Sequence, residues 1–304
     1  MAVSPMTAPT PSQAFRRRNR MGAIGFICAA ILCFTFLDTT AKYLVRQNIP
    51  AIEVVWARYV GHAGLMLIFI NPWTVKGLFV TKRPWLQFSR SILLFLSTFA
   101  NFVALKYLQL AETISILFAT PFLVALLAGL FFGQWIGRRQ WLAIGVGFAG
   151  VLIVTRPGFG EVHWAVSLSC ISALCYAIYN LMTRVLAAHD PTTTTLVYSA
   201  LAGAVILTPV VPFFYVPPAD LTTALLMAST GMWGLIGHWL LIAAHRHVAA
   251  QDLSPFIYTQ IVWMTVSGWL VFGDIPGLYT LVGASIVVAS GLYLLWLERQ
   301  RGRE

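Results

Sequence analysis

The chain has 304 residues, 59% of them hydrophobic and 10% charged, with a formal net charge of +10. A soluble domain averages about 25% charged residues, so this composition cannot furnish a water-facing surface all round. The basic residues sit at the ends of apolar segments and not along one face, which excludes a nucleic-acid partner as the reason for the charge.

In chain order, Met1 to Arg20 is polar and ends in Arg16-Arg17-Arg18-Asn19-Arg20. It reads as a disordered tail over 1–20. The apolar run from Gly22 to Val45 is too long for a signal-peptide core and reads as an uncleaved first span. Nine further candidate spans follow, at roughly 50–70, 84–106, 111–132, 138–155, 163–187, 191–213, 221–244, 251–273 and 276–297. Breakers separate them: Asn48-Ile49-Pro50, Asn71-Pro72, Arg156-Pro157-Gly158, Asp190-Pro191, Val216-Pro217-Pro218 and Ile275-Pro276. The apolar runs are continuous and do not alternate, so a β-barrel is excluded. The four cysteines, Cys28, Cys33, Cys170 and Cys175, lie inside apolar runs and read as small buried hydrophobes.

Lys and Arg set the orientation. One side carries Arg16, Arg17, Arg18, Arg20, Lys76, Lys82, Arg83, Arg138, Arg139, Arg184, Arg246, Arg299, Arg301 and Arg303; the other carries Lys42, Arg46, Lys106 and Arg156. Both termini are therefore expected on the cytoplasmic face. The first span also recurs. At an offset of 142, Cys28 falls on Cys170, Cys33 on Cys175, Phe34 on Tyr176, Asp38 on Asn180 and Lys42 on Arg184. At an offset of 140, Lys106 falls on Arg246, Glu112 on Asp252, Phe132 on Phe272 and Gly133 on Gly273. Several coincidences in one register indicate an internal duplication. Five spans per copy is an odd number, so the second copy enters the membrane inverted, an architecture of transporters. The expected fold is an all-α polytopic membrane protein, with ten transmembrane helices as two inverted-topology five-helix repeats. The repeats cover 21–156 and 157–298, and a cytoplasmic tail covers 299–304.

Residues along the whole length resemble the EamA-type proteins of the drug/metabolite transporter superfamily. They are Ala104-Leu105-Lys106-Tyr107 with Ala111-Glu112 and Pro121, then Leu142-Ala143-Ile144-Gly145 with Gly150 to Val154, and in the second half Val271-Phe272-Gly273-Asp274, Gly283-Ala284 and Ala289-Ser290-Gly291. Arg58 in the second span also resembles the family. The fourth span ends Phe132-Gly133-Gln134, where relatives commonly carry a glutamate. The resemblance implies a single-chain carrier of small metabolites in a bacterial inner membrane, similar to exporters of amino acids and importers of S-adenosylmethionine or riboflavin.

Several side chains are candidates for chemistry. Asp38 and Lys42 are four apart on one helix face. Asp38 reads either as a proton-coupling or cation-binding carboxylate, or as half of a structural ion pair with Lys42. Arg58 is the deepest charge. It reads as a ligand for a substrate carboxylate or phosphate, or as an interhelix tie to Asp38 or to backbone carbonyls; the tie is the preferred reading. Glu53 is expected to snorkel outward, and Arg90 to reach cytoplasmic head groups. His62 and His238 read first as hydrogen-bonded packing. His245-Arg246-His247 reads as a solvated loop without metal spacing, so no metal site and no cofactor are expected.

Trp56, Trp73, Trp85, Trp135, Trp141, Trp164 and Trp296 fall near span ends, as an interfacial belt requires. Trp233, Trp239, Trp263 and Trp269 lie deeper, with Tyr176, Tyr179 and Tyr258, and could line a cavity for a flat or cationic ligand. Asn180, Asn101, Thr120 and Gln260 need polar partners in hydrocarbon. The expected substrate-binding set is Asp38, Arg58, Thr120, Tyr176, Tyr179, Asn180, Trp233, His238, Tyr258 and Gln260. The Gly129/Gly133, Gly273/Gly277, Ala143/Gly147 and Gly145/Ala149 pairs are expected at helix contacts, and Pro121 is expected to kink the fourth span.

A secondary carrier working by alternating access explains these features. A membrane-embedded enzyme is the alternative, but the chain carries no GxxxxGK[ST] or HExxH motif and no paired carboxylates in its spans. A non-transporting scaffold is the third class. The expected partners are a small-molecule substrate, the bilayer and a coupling proton or ion, with the chain acting as monomer or homodimer.

Overall fold

The computed structural model describes residues 11–69, 77–133, 137–155, 163–186, 188–247 and 256–301, and among them it is all helix and turn, with no strand. The α-helices are α1 (Pro11–Arg46), α2 (Ala51–Phe69), α3 (Pro84–Tyr107), α4 (Leu110–Leu117), α5 (Thr120–Phe132), α6 (Arg138–Thr155), α7 (Ala165–Leu186), α8 (Thr192–Leu207), α9 (Leu221–His247), α10 (Gln260–Phe272) and α11 (Leu278–Arg301). Among the described residues, six apolar helical stretches are long enough to cross a membrane: Met21–Arg46, Ala51–Ile68, Pro84–Tyr107, Leu110–Phe132, Ala165–Leu186 and Leu221–Leu241.

The helix starts and stops follow local chemistry. α1 begins at Pro11, so the expected disordered tail is helical over 11–20; no residue between Ser12 and Arg20 breaks a helix, and arginine is a good helix former. Residues 1–10 lie outside the described residues. α1 stops where Asn48 takes a left-handed φ of 63° ahead of Pro50. Gln109 and Glu112 cap α4 reciprocally.

Pro121 accounts for the gap between α4 and α5. It has no N–H to give the Leu117 carbonyl, and the Thr120 hydroxyl takes that carbonyl at 2.6 Å. A second break, at Tyr258 and Thr259, precedes α10, with the Thr259 hydroxyl on the Phe256 carbonyl at 2.6 Å. The two breaks touch: the Phe118 and Tyr258 rings meet edge to face at 5.0 Å. Gly133 (φ 66°) and Gly273 (φ 69°) end α5 and α10 in the left-handed conformation. Their requirement is therefore for a helix C-cap, and not for the helix contact expected of them.

Six helices interlock around the centre. α1 lies on α9 and α3 on α7, while α2 crosses α9 and α8, and α8 touches α3. Reciprocal hydroxyl-to-carbonyl bonds between Ser97 and Ser172, 3.0 and 2.9 Å, join α3 to α7. Between α6 and α11, a Cβ on Gly283 would stand 2.5 Å from the Gly150 carbonyl oxygen. Only glycines allow that approach, and Ser290 closes the same seam by donating to the Ala143 carbonyl. The main core runs through α1, α2, α3, α4 and α11, around Leu44, Val54, Val55, Phe102, Leu105, Leu110 and Val287.

Candidate functional site

The polar side chains of α3 set the axis of the site. Arg90, Leu94, Thr98 and Asn101 recur at helical spacing, so one face of α3 carries them all. From Arg90 to Asn101 the rise is about 16 Å. Opposite that face, α2 presents Arg58, Tyr59 and His62, and α9 presents His238. Tyr179 of α7 and Leu196, Ser199 and Ala200 of α8 complete the wall of a small cavity of about 20 Å³. Gly234 on α9 leaves room there: a Cβ would stand 3.6 Å from His62 Nδ1 and 3.8 Å from Arg58 Nε.

Asp38, Arg58, Tyr176, Tyr179 and His238 of the expected set come together. Arg58 donates to the Thr98 hydroxyl at 2.8 Å. Its charge acts across the cavity on Asp38 and Tyr176. Asp38 accepts one long hydrogen bond, 3.4 Å, from Asn101 Nδ2. Tyr176 stacks on Tyr179 at 5.6 Å, and His238 lies 5.6 Å from His62 and 5.1 Å from Phe34. His238 lines the cavity, and Asp38 and Tyr176 lie within reach of the Arg58 charge at its wall.

The other expected ligands lie elsewhere. Asn180 gives its amide to the Tyr176 carbonyl on its own helix at 2.7 Å. Trp233 packs on Phe36 at 5.2 Å, in a separate cleft with Thr40, Leu225 and Ser229. Thr120 and Tyr258 sit at the two helix breaks, where their polar and aromatic groups are already engaged, and Gln260 opens α10 next to the second break. The deeper tryptophans Trp239, Trp263 and Trp269 are 63%, 39% and 58% exposed and face outward. Trp73, Trp135 and the His245-Arg246-His247 side chains lie outside the described residues.

Each end of the bundle carries a polar cluster. At the end carrying the last turns of α1, Lys42 pairs with Asp274 just after α10 and stands over the Phe272 ring at 4.7 Å. The expected partner was Asp38. The Gly273 cap turns the chain so that Asp274 reaches Lys42, which is 1% exposed, and this leaves Asp38 without the pair. Glu53, expected to snorkel, is fully buried and accepts the Val216 N–H at 3.0 Å, because the loop after α8 folds over it.

At the opposite end, Arg90 is also fully buried and does not reach head groups. It donates to the Thr195 carbonyl at 2.6 Å and the Ser199 hydroxyl at 2.7 Å, and its guanidinium lies 5.0 Å from the Tyr179 ring centre. α8 supplies these acceptors, so the guanidinium turns inward, onto neutral groups. Beneath it, Asp190 accepts from Thr81, from the Lys82 N–H at 2.9 Å and from Gln87 at 2.9 Å.

Burial raises the Asp190 pKa, but these hydrogen bonds outweigh it and hold the carboxyl below its ordinary value. A depressed folded-state pKa contributes stability above the unfolded value that is lost as pH falls through the folded one. Asp190→Asn is therefore expected to flatten the loss of thermal stability below about pH 4, where an Asp ordinarily titrates. Unfolding scans from pH 3 to 6 would read this, and identical acid limbs would contradict it.

His62, Leu94, Leu196 and Ser199 line the cavity, and Thr98 and Arg90 bond to residues that do, although the expected substrate-binding set omits all six. The signal was present in part: Arg58 and His62 are four apart, and Arg90, Leu94 and Thr98 repeat at four.

Comparison with known proteins places this architecture. A riboflavin transporter of Rhizobium johnstonii is 26% identical over 94% of this chain and 95% of its own. An S-adenosylmethionine uptake transporter of Rickettsia felis is 23% identical, over 93% and 95%. A pseudopaline exporter of Pseudomonas aeruginosa is 25% identical, over 89% and 95%. One crystal structure shares the fold with a TM-score of 0.59 at 16% identity, over 90% of this chain and 98% of its own. The apolar helices and these relatives define a multi-pass membrane transporter. The chain belongs to the EamA-like transporter family, whose sequence model matches residues 21–156 and again residues 163–296.

Proposed function

We propose that this transporter is a secondary carrier of a small organic metabolite in a bacterial inner membrane, working by alternating access and performing no enzymatic step. Its halves, 21–156 and 157–298, are five-span repeats of inverted topology, with both termini cytoplasmic. Several features recur 140 positions apart, or within one residue of it: the broken helix, the Thr120 and Thr259 hydroxyl caps and the Gly133 and Gly273 left-handed caps. The packing recurs in the same sense, α1 on α9 answering α3 on α7, and the Gly150–Gly283 approach answering Ser290 on Ala143.

The observation that carries the reading is a central cavity with a polar closure at each end. By the Lys/Arg bias, Lys42–Asp274 is the outer closure and the Arg90–Asp190 cluster the inner one. Opening one while the other holds exposes the cavity to one side at a time. The chain has no nucleotide-binding loop, so transport is downhill, exchanged or ion-coupled. Relatives named for riboflavin and S-adenosylmethionine make those the first probes.

The test is counterflow in proteoliposomes with a metabolite panel beginning with these two. Saturable uptake driven by a preloaded solute is expected for at least one compound. Folded protein that gives no saturable flux for any of them contradicts the reading.

A further inference from the structure

The charges around the cavity do not balance. Arg58 on α2 and Arg90 on α3 supply two guanidinium groups, and Asp38 is the carboxylate that Arg58 acts on across the cavity. Lys42, Asp274 and Glu53 are engaged at the outer end, and Asp190 is engaged by Thr81, Lys82 and Gln87 below. Among the described residues, no carboxylate lies within ion-pair distance of either arginine. Among the described residues the hydrogen-bond acceptors of Arg90 are neutral: the Thr195 carbonyl, the Ser199 and Thr183 hydroxyls, the Gln87 amide oxygen and the Tyr179 phenol. Its Nε is buried with no partner at all. Arg58 spends one of its donors on Thr98, and none of the rest is both buried and unpaired. Those donors therefore face the cavity. Whichever protonation state Asp38 takes, positive charge is in excess.

An uncompensated cation inside a bilayer protein is costly, and a fixed partner or a ligand must balance it. Here the fixed partners are lacking. The arginines also share a wall, since Arg90 contacts Ser199 and the Tyr179 ring, and both line the cavity with Arg58.

Resting on the carrier reading, we propose that the transported molecule is an organic anion, whose carboxylate or phosphate is bound by the free donors of Arg58. Arg90 supplies the second positive charge behind Tyr179 and Ser199, and the apolar body of the molecule lies against Tyr179 and His238. A planar guanidinium with several free N–H groups suits a bidentate carboxylate or phosphate. Asp38 opposes the anion, so the site holds it without trapping it.

The test reads binding without flux, so a protein that binds but does not transport would count against the carrier reading alone. Full-length protein in nanodiscs is titrated by thermal shift with phenyl phosphate, benzoate, benzyl alcohol and benzylamine. These probes share a ring and differ in charge. The anions are expected to bind at least tenfold more tightly than the alcohol or the amine. Arg58→Gln should weaken the anions tenfold or more, Arg58→Lys should weaken them less, and Asp38→Asn should tighten them. The Asp38→Asn arm decides the matter if Arg58→Gln does not fold. Three results would each overturn the proposal: no stabilisation by either anion, equal stabilisation by benzylamine, or anion binding indifferent to both positions.

Discussion

Asp274→Asn is expected to destabilise the protein and to loosen one end of it. Lys42 is 1% exposed, and Asp274 is its carboxylate partner. The substitution leaves an ammonium buried with a neutral amide and the Phe272 ring. Removing one member of a buried pair costs about 3–5 kcal/mol, whereas replacing both by apolar groups is often neutral. Thermal unfolding in detergent should therefore show a large drop for Asp274→Asn and recovery in the Lys42→Met/Asp274→Leu double variant. On the proposed alternating-access reading, the same free energy holds the outer closure shut. About 1.4 kcal/mol shifts a two-state population tenfold, so the single variant should favour the outward-open form. An unchanged melting temperature would mean that Lys42 has another partner or is neutral.

Asp38→Asn should have the largest effect on transport itself. Asp38 accepts a single long hydrogen bond, and the Arg58 charge at the cavity wall acts on it. Among the described residues nothing fixes it structurally as Lys42 is fixed. Arg58 on α2 is the charge that acts on it, Lys42 lies one turn along α1, and His62 on α2, His238 on α9 and Tyr179 on α7 line the cavity with Arg58. A carboxylate so placed can take up and release a proton as the cavity changes sides. The amide should bind an anion more tightly yet move it more slowly, by about tenfold or more, with a flatter pH profile, because it cannot take up or release a proton. Counterflow across pH 5.5–8.5 in proteoliposomes reads both effects. A variant with the parent's rate and pH profile would remove Asp38 from the coupling step.

Much of this was legible beforehand, and the residues say why. Continuous apolar runs bounded by Pro and Asn marked the helices, since hydrocarbon demands a fully bonded backbone. The double match to the family has its counterpart in the sequence, where Cys28 and Asp38 fall on like residues at an offset of 142 and Gly133 at 140. Arg58 and Asp38 stood out because charge is rare at that depth. Partners were harder to read. Local spacing offers Asp38 as one possible partner for Lys42, but its acid comes from 232 residues away, swung in by a glycine cap. Arg90 and Glu53 were sent to the lipid surface because each lies near a helix end, and no local pattern reveals that Thr195, Ser199 and Val216 fold over them. Thr120 and Tyr258 looked like ligands because polar and aromatic groups inside spans are suspicious, but a broken helix consumes them first.

The most direct measurement is labelling of one cavity position from both sides of the membrane. Leu196 lines the cavity between the two closures. Leu196→Cys, in a background without Cys28, Cys33, Cys170 and Cys175, would be exposed in oriented vesicles to a membrane-impermeant maleimide added outside or trapped inside. The account predicts reaction from each face, with Asp274→Asn raising the outer rate. Reaction from one face alone, unchanged by Asp274→Asn and by any transported solute, would contradict a cavity that alternates.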